Sequence, residues 1–160
     1  MSNEGTLDNC KQWVIRIKDE NNIADIWPAK QVIEKLSLQG SQGCDCMGHY
    51  LSCSWIVIEK KPAGHISTAI SQFEKTIDAA RRKGFTVKYA LLIYSGKWGR
   101  TKQIYGIRKN QDSPTGYVLW YIPSTKAKAV VCKGITVWAI DIKNLEEYKK
   151  NVIRKIEYYE

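Results

Sequence analysis

The stretch that most restricts how this chain can fold is TVKYALLIY, residues 86–94. Nearly every position from Tyr89 onward is apolar, and the run is too short and too β-rich for a helix. A strand without polar alternation has no face to give to water. It must be covered on both sides, as a central strand of a layered α/β sheet is. The preceding segment supplies one cover. Across residues 67–83, Ala69, Ile70, Phe73, Ile77 and Ala80 recur at three- and four-residue spacings. Arg81, Arg82 and Lys83 crowd its last turn, where positive charge suits the helix dipole, and Gly84 follows as a cap.

The other elements are arranged around that strand. Residues 1–8 read as a loose polar start, and Trp13 to Ile17 alternates in a way compatible with a strand or an amphipathic helix. Trp27-Pro28 opens a helix with Val32, Ile33 and Leu36 as its apolar stripe; Pro28 sits in the first turn, where its missing N–H costs little. Residues 54–58 give the strongest strand signal, ended by Lys61-Pro62-Ala63-Gly64. Residues 117–122 and 134–140 predict two more strands. Asn144 begins a last helix, with Leu145, Tyr148, Val152, Ile153 and Ile156 on its inner face. A chain of 160 residues suffices for one core. The expectation is a single α/β domain over residues 1–160, a central mixed sheet flanked by helices, with a core near 28–95 and C-terminal strands and helix at 117–159.

No apolar run approaches the length that crosses a bilayer, and MSNEGTLDNCKQ lacks the basic-then-apolar layout of a secretory signal. The expectation is an intracellular, cytoplasmic protein with no membrane partner. The net charge of +9 favours a polyanion. Basic residues recur beside aromatics: Lys97, Trp98, Arg100 and Lys102 form a loop whose glycines permit close backbone approach, whose indole offers a stacking plane and whose charges suit phosphates. DNA is the expected partner, with RNA as the alternative. Five cysteines exclude a complete intramolecular disulfide framework, and an intracellular setting predicts thiols, with Cys10 and Cys132 as small core residues.

Residues 43–61, GCDCMGHYLSCSWIVIEKK, carry the chemistry. A hairpin centred on Ser52 sets Asp45 opposite Glu59, Met47 opposite Val57 and His49 opposite Trp55. Directly opposed residues have Cβ atoms about 4.5–5.5 Å apart. Lys61, two residues beyond Glu59, shares its face. Two carboxylates that close repel unless a cation lies between them; Mg²⁺ (or Mn²⁺), with oxygen ligands and several retained waters, is the natural occupant. Such an ion polarises a phosphodiester, while Lys61 orients water or stabilises the developing charge. The plain alternative is a surface hairpin with a cross-strand ion pair. A rival set, Cys44, Cys46, His49 and Cys53, offers soft ligands for a structural zinc, although Cys44 and Cys46 face away from His49 in a regular hairpin. Packing thiols, or a disulfide from Cys53 to either neighbour, are the other readings of these cysteines. His65 follows Pro62 as a loop histidine. No P-loop, dinucleotide fingerprint or serine-hydrolase elbow is present.

Over residues 28–95 this arrangement resembles the PD-(D/E)xK nuclease superfamily, which includes restriction-type enzymes and archaeal Holliday-junction resolvases. The resemblance rests on Asp45, on Glu59-Lys60-Lys61 after thirteen intervening residues, and on the helix and buried strand that follow. It departs from the name-giving pattern in that Cys44, not proline, precedes Asp45. It implies a restriction-endonuclease-like core and a Mg²⁺-dependent endonuclease in which Asp45 and Glu59 hold the metal and Lys61 serves catalysis. Glu34 on the preceding helix and Gln72 in AISQFEKTI match two accessory positions, and Lys60 joins the substrate-contacting residues. A homodimer would fit the resemblance, with the apolar strand at 117–122 as candidate interface. A nucleic-acid-binding protein of this fold without catalysis, and a zinc-stapled interaction module, are the alternatives.

Overall fold

The computed structural model describes residues 5–14, 23–39, 43–97, 135 and 137–145 in full, and residues 107–109 and 117–119 as backbone. Helix α1 (Leu7–Trp13) comes first, then strand β1 (Ile23–Pro28), helix α2 (Ala29–Leu36) and the hairpin β2 (Cys46–Tyr50) and β3 (Ser54–Pro62). A 3₁₀ turn leads into α3 (Ile66–Arg82) and β4 (Thr86–Ser95); β5 (Ile107–Lys109), β6 (Tyr117–Leu119) and β7 (Val137–Asp141) complete one seven-stranded sheet. Its order is β1-β2-β3-β4-β7-β6-β5. The first three strands form an antiparallel meander, β3, β4 and β7 run parallel, and β6 and β5 return antiparallel.

Strand β4 occupies the position its sequence demands. Ala90, Leu92 and Tyr94 join the core on the side of α2 and α3, together with Met47, Val57, Phe73 and Ile77. Leu91 and Ile93 join the opposite core with Cys10, Trp13, Ile56 and Ile58 beneath α1. Both faces are dry, so apolar side chains at every position are favoured. The α3 stripe is buried as its periodicity requires, and Gly84 adopts φ 87° just beyond the helix, a conformation glycine takes at little cost.

Several expectations change. Residues 1–8 are not uniformly loose: Thr6 caps α1, its side chain accepting from the Asn9 N–H, and Gly5 is buried. Trp13 ends that helix. Pro28 is the N-cap of α2 rather than a first-turn residue, because Trp27-Pro28 closes the edge strand β1. Strand β3 continues through Lys61 to Pro62, since its parallel pairing with β4 extends to Ser95. The cysteines are not all thiols. Cys10 on the inner face of α1 meets Cys46 on β2 at a Cα–Cα distance of 5.7 Å and forms a disulfide, while Cys44 and Cys53 lie outside any disulfide. Cys44 and Cys46 also leave the common face a regular hairpin would give them: Cys44 packs on the α3 side and Cys46 on the α1 side. Strand β6 lies between β5 and β7, so among the described strands β1 and β5 form the edges of the sheet. Among the described residues no helix is long and apolar enough to cross a membrane. Cys132 and the helix expected after Asn144 lie outside the described residues, apart from a 3₁₀ turn at Ile142–Asn144 and buried Leu145.

Candidate metal centre at the open end of the hairpin

The register of the hairpin places the acidic pair. Met47 lies across from Val57 and His49 from Trp55, as a turn centred on Ser52 requires, and the last paired residues are Cys46 and Ile58. Continuing that register by one residue sets Asp45 opposite Glu59. Both are withdrawn from water, Asp45 at 3% exposure and Glu59 at 0%. Asp45 Oδ2 accepts the Lys60 backbone N–H at 2.9 Å, so the carboxylate takes up the edge of β3 beyond the end of β2. The chain peels away from the sheet at the same point. The Cys44 N–H donates to Thr76 Oγ1 on α3, also at 2.9 Å.

Alternation along β3 sorts the remaining candidates. Trp55 and Val57 pack on the α3 side, so Glu59 and Lys61 project to that side as well, beside Leu92 and Tyr94 of β4. Lys60 projects to the opposite face, half-buried, so its backbone N–H rather than its ammonium faces Asp45. Lys61 is half-buried at the rim. Gln72 lies one helical turn before Thr76 on the inner side of α3, with Oε1 buried. Thr76 touches the residue before Asp45, and Gln72 stands one turn nearer the N-terminus of α3. Glu34 is placed differently: it is exposed on α2, roughly half a turn around the helix from buried Val32 and Leu36. His65 is exposed in the turn between β3 and α3. Lys97 is exposed just past β4, and Trp98, Arg100 and Lys102 lie outside the described residues.

The rival cysteine set is not assembled. Cys46 is held by Cys10, Cys44 is buried against α3, and Cys53 is exposed in the turn with φ 72°. His49 stacks face to face on Trp55, with centroids 4.3 Å apart and planes at 4°. Zinc would need these side chains to converge.

Three contributors to the site escape a pattern-based reading. Gly5 backs the acidic residue so closely that a Cβ there would stand 2.5 Å from the Asp45 carbonyl oxygen. Thr76 is fully buried in an otherwise apolar stripe. A polar residue in such a position signals an internal partner, and it is the one clue of the three visible in the sequence. The third is the Cys10–Cys46 bond, which the chemistry of the chain permits but spacing does not predict.

Asp45 and Glu59 together offer hard oxygen donors. Among the described residues no group of three His, Cys, Asp or Glu side chains gathers to hold an ion. Two carboxylates, with water and phosphate oxygens in the other positions, are nevertheless a donor set that suits Mg²⁺. Comparison with known proteins finds no matching family model, curated protein or solved structure.

Proposed function

We propose that the protein is a metal-dependent nuclease that hydrolyses phosphodiester bonds in DNA, with Asp45 and Glu59 as the ligands of Mg²⁺ or Mn²⁺ and Lys61 as the catalytic cation. The observation that carries this reading is the burial of two carboxylates, Asp45 and Glu59, one residue beyond the last paired residues, Cys46 and Ile58, at the open end of a hairpin. Burying like charges together is unfavourable, and a divalent cation between them offsets the repulsion. The ion, when bound, supplies Lewis-acid polarisation of the scissile phosphate and a more acidic water.

The protein groups divide the remaining work. Asp45 is aimed by the Lys60 N–H, which fixes one carboxylate oxygen and leaves the other for the metal. Glu59 approaches from the neighbouring strand within a water-poor surface, where electrostatic attraction is strongest. Lys61 lies on the same face and supplies positive charge where phosphoryl oxygens become more negative, orienting the attacking water as it does so. Gln72 is the candidate for holding that water or a phosphate oxygen from the helix side. The net charge of +9 and the loop of Lys97, Trp98, Arg100 and Lys102 favour attraction of a nucleic-acid backbone.

The test is cleavage of linear duplex, single-stranded and branched DNA, and of RNA, with Mg²⁺ or Mn²⁺. Asp45→Asn and Glu59→Gln are expected to lower the rate by at least ~10³-fold, the several kcal/mol that metal catalysis contributes, while nucleic-acid binding persists. Wild-type protein that binds nucleic acid with steep salt dependence but turns nothing over would replace the enzyme by a binding protein. Metal-dependent cleavage unchanged in both variants would remove these residues from the site.

A further inference from the structure

Residues 44–46 are anchored from both faces of the sheet by groups that take no part in the proposed chemistry. On the α3 side, Thr76 Oγ1, itself fully buried, accepts the Cys44 N–H at 2.9 Å. On the α1 side, Cys46 is bonded to Cys10, whose Sγ lies 3.5 Å from the Asp45 carbonyl oxygen. A disulfide sulfur has no proton to donate, so that last approach is a packing contact. Asp45 stands between these anchors, at the point where the ladder between β2 and β3 has ended. Its backbone therefore lacks the regular strand pairing that holds Cys46 in register.

We infer that Thr76 and the Cys10–Cys46 disulfide are positioning groups for the Asp45 carboxylate, setting its aim at the metal from opposite sides of the sheet. The inference rests on the proposed role of Asp45 as a metal ligand and deepens it. Removing the Thr76 hydroxyl takes away the buried acceptor of the Cys44 N–H, and the segment shifts to replace that bond. Without the disulfide, α1 loses its covalent tie to β2. Either shift moves the Asp45 Cα and displaces Oδ2 from the Lys60 N–H. Metal sites and catalytic constellations tolerate displacements of only about 0.5 Å, so loosening at Cys44 or Cys46 reaches the carboxylate directly.

Two readouts separate positioning from general stability. The first is hydrogen exchange of the Lys60 amide, which reports the Asp45 carboxylate with no metal present. The second is Mn²⁺ affinity, measured by titration well below the unfolding temperature. Thr76→Val, which keeps shape and removes the acceptor, is expected to weaken Mn²⁺ binding about three- to tenfold, the worth of one internal hydrogen bond, and to speed exchange at Lys60. Thr76→Ser restores the hydroxyl and both readouts. Cys10→Ser changes both in the direction of Thr76→Val. If Thr76→Val and Cys10→Ser lower the unfolding midpoint yet leave Lys60 exchange and Mn²⁺ affinity within twofold of wild type, these groups are structural only and the inference falls. Wild-type protein that takes up no Mn²⁺ overturns the metal reading instead, and exchange at Lys60 then still decides whether the anchors place the carboxylate.

Discussion

Gly5→Ala is a single-methyl test of how tightly the N-terminus is built against Asp45. The added Cβ would stand 2.5 Å from the Asp45 carbonyl oxygen, 2.6 Å from the Ala29 Cβ and 3.1 Å from the Asp45 Cα. Two of these neighbours are backbone atoms and the third is a Cβ, so no flexible side-chain end can swing aside. Either Asp45 or the start of α2 must move. Overpacking of this kind costs about 1–3 kcal/mol. The same displacement pulls on the 2.9 Å hydrogen bond from the Ala29 N–H to the Gly5 carbonyl, worth about 0.5–1.5 kcal/mol. The sum is roughly 2–4 kcal/mol, and with a urea m-value of about 2 kcal/mol/M it lowers the midpoint by roughly 1–2 M. Gly64→Ala is the internal control: a Cβ there meets nothing within 4 Å, and its midpoint is expected to stay with the wild type. Equilibrium urea unfolding of the three proteins, followed by tryptophan fluorescence, makes the comparison. If Gly5→Ala unfolds within 0.5 kcal/mol of Gly64→Ala, the first residues do not pack on Asp45 as described, and the account of its placement from that side is wrong.

Other outcomes follow from the same contacts. Replacing Cys10 and Cys46 together by serine opens a cross-link between positions 36 apart, for which the loop-entropy relation gives a loss of about 4 kcal/mol; thiol alkylation before and after reduction, with urea unfolding, checks both the bond and its worth. Mg²⁺ at about 100 times its Kd is expected to stabilise the wild type by about 2.7 kcal/mol, or roughly 5–10 °C in Tm, and Asp45→Asn to abolish that gain in a thermal melt. Phe73→Ala removes a fully buried ring from the α3 core and is expected to cost about 3–5 kcal/mol in the same unfolding assay. For the proposed substrate loop, Trp98→Ala is expected to cost about 1–3 kcal/mol of single-strand binding with little change in salt dependence, whereas Lys97→Ala reduces the salt slope by about one unit in a titration series.

Much of the fold is legible because a few segments admit one environment. The unbroken apolar run at β4 has to lie between two layers, and the 3.6-residue stripe of α3 names the layer on one side. The hairpin register is legible for a similar reason: a turn centred on Ser52 puts Met47 across from Val57, and a slip by one residue would exchange the two faces of β2. The same period-two rule carries Glu59 and Lys61 to one side. It fails at Cys44, where the chain has left the sheet and a side-chain acceptor on α3 replaces the ladder. Strand β1 was hidden because Ile23–Pro28 is an edge element with mixed exposure and a proline at its end, so it shows neither clean alternation nor a solid apolar run. The covering helix α1 is short, and its signal is the cap at Thr6 rather than periodicity. Whether Cys10 meets Cys46 depends on how that helix lies on the sheet, a tertiary fact with no local trace.

The sheet order also carries a consequence for synthesis. Asp45 is held through Gly5, Cys10, Lys60 and Thr76, and the two hydrogen bonds involved span 15 and 32 residues. All of these partners precede β4. The strand that covers the far edge of β4 is β7, paired from Ala90 to Val137 onward. At about 5–20 residues per second, a ribosome adds the residues between Ser95, the end of β4, and Val137 in roughly 2–8 s. Through that interval the acidic end of the hairpin already has its neighbours, while the longest strand of the sheet has an uncovered row of amides and carbonyls along one side. The exposure of a nascent chain to mispairing is therefore concentrated at β4, and the time to β7 sets its duration.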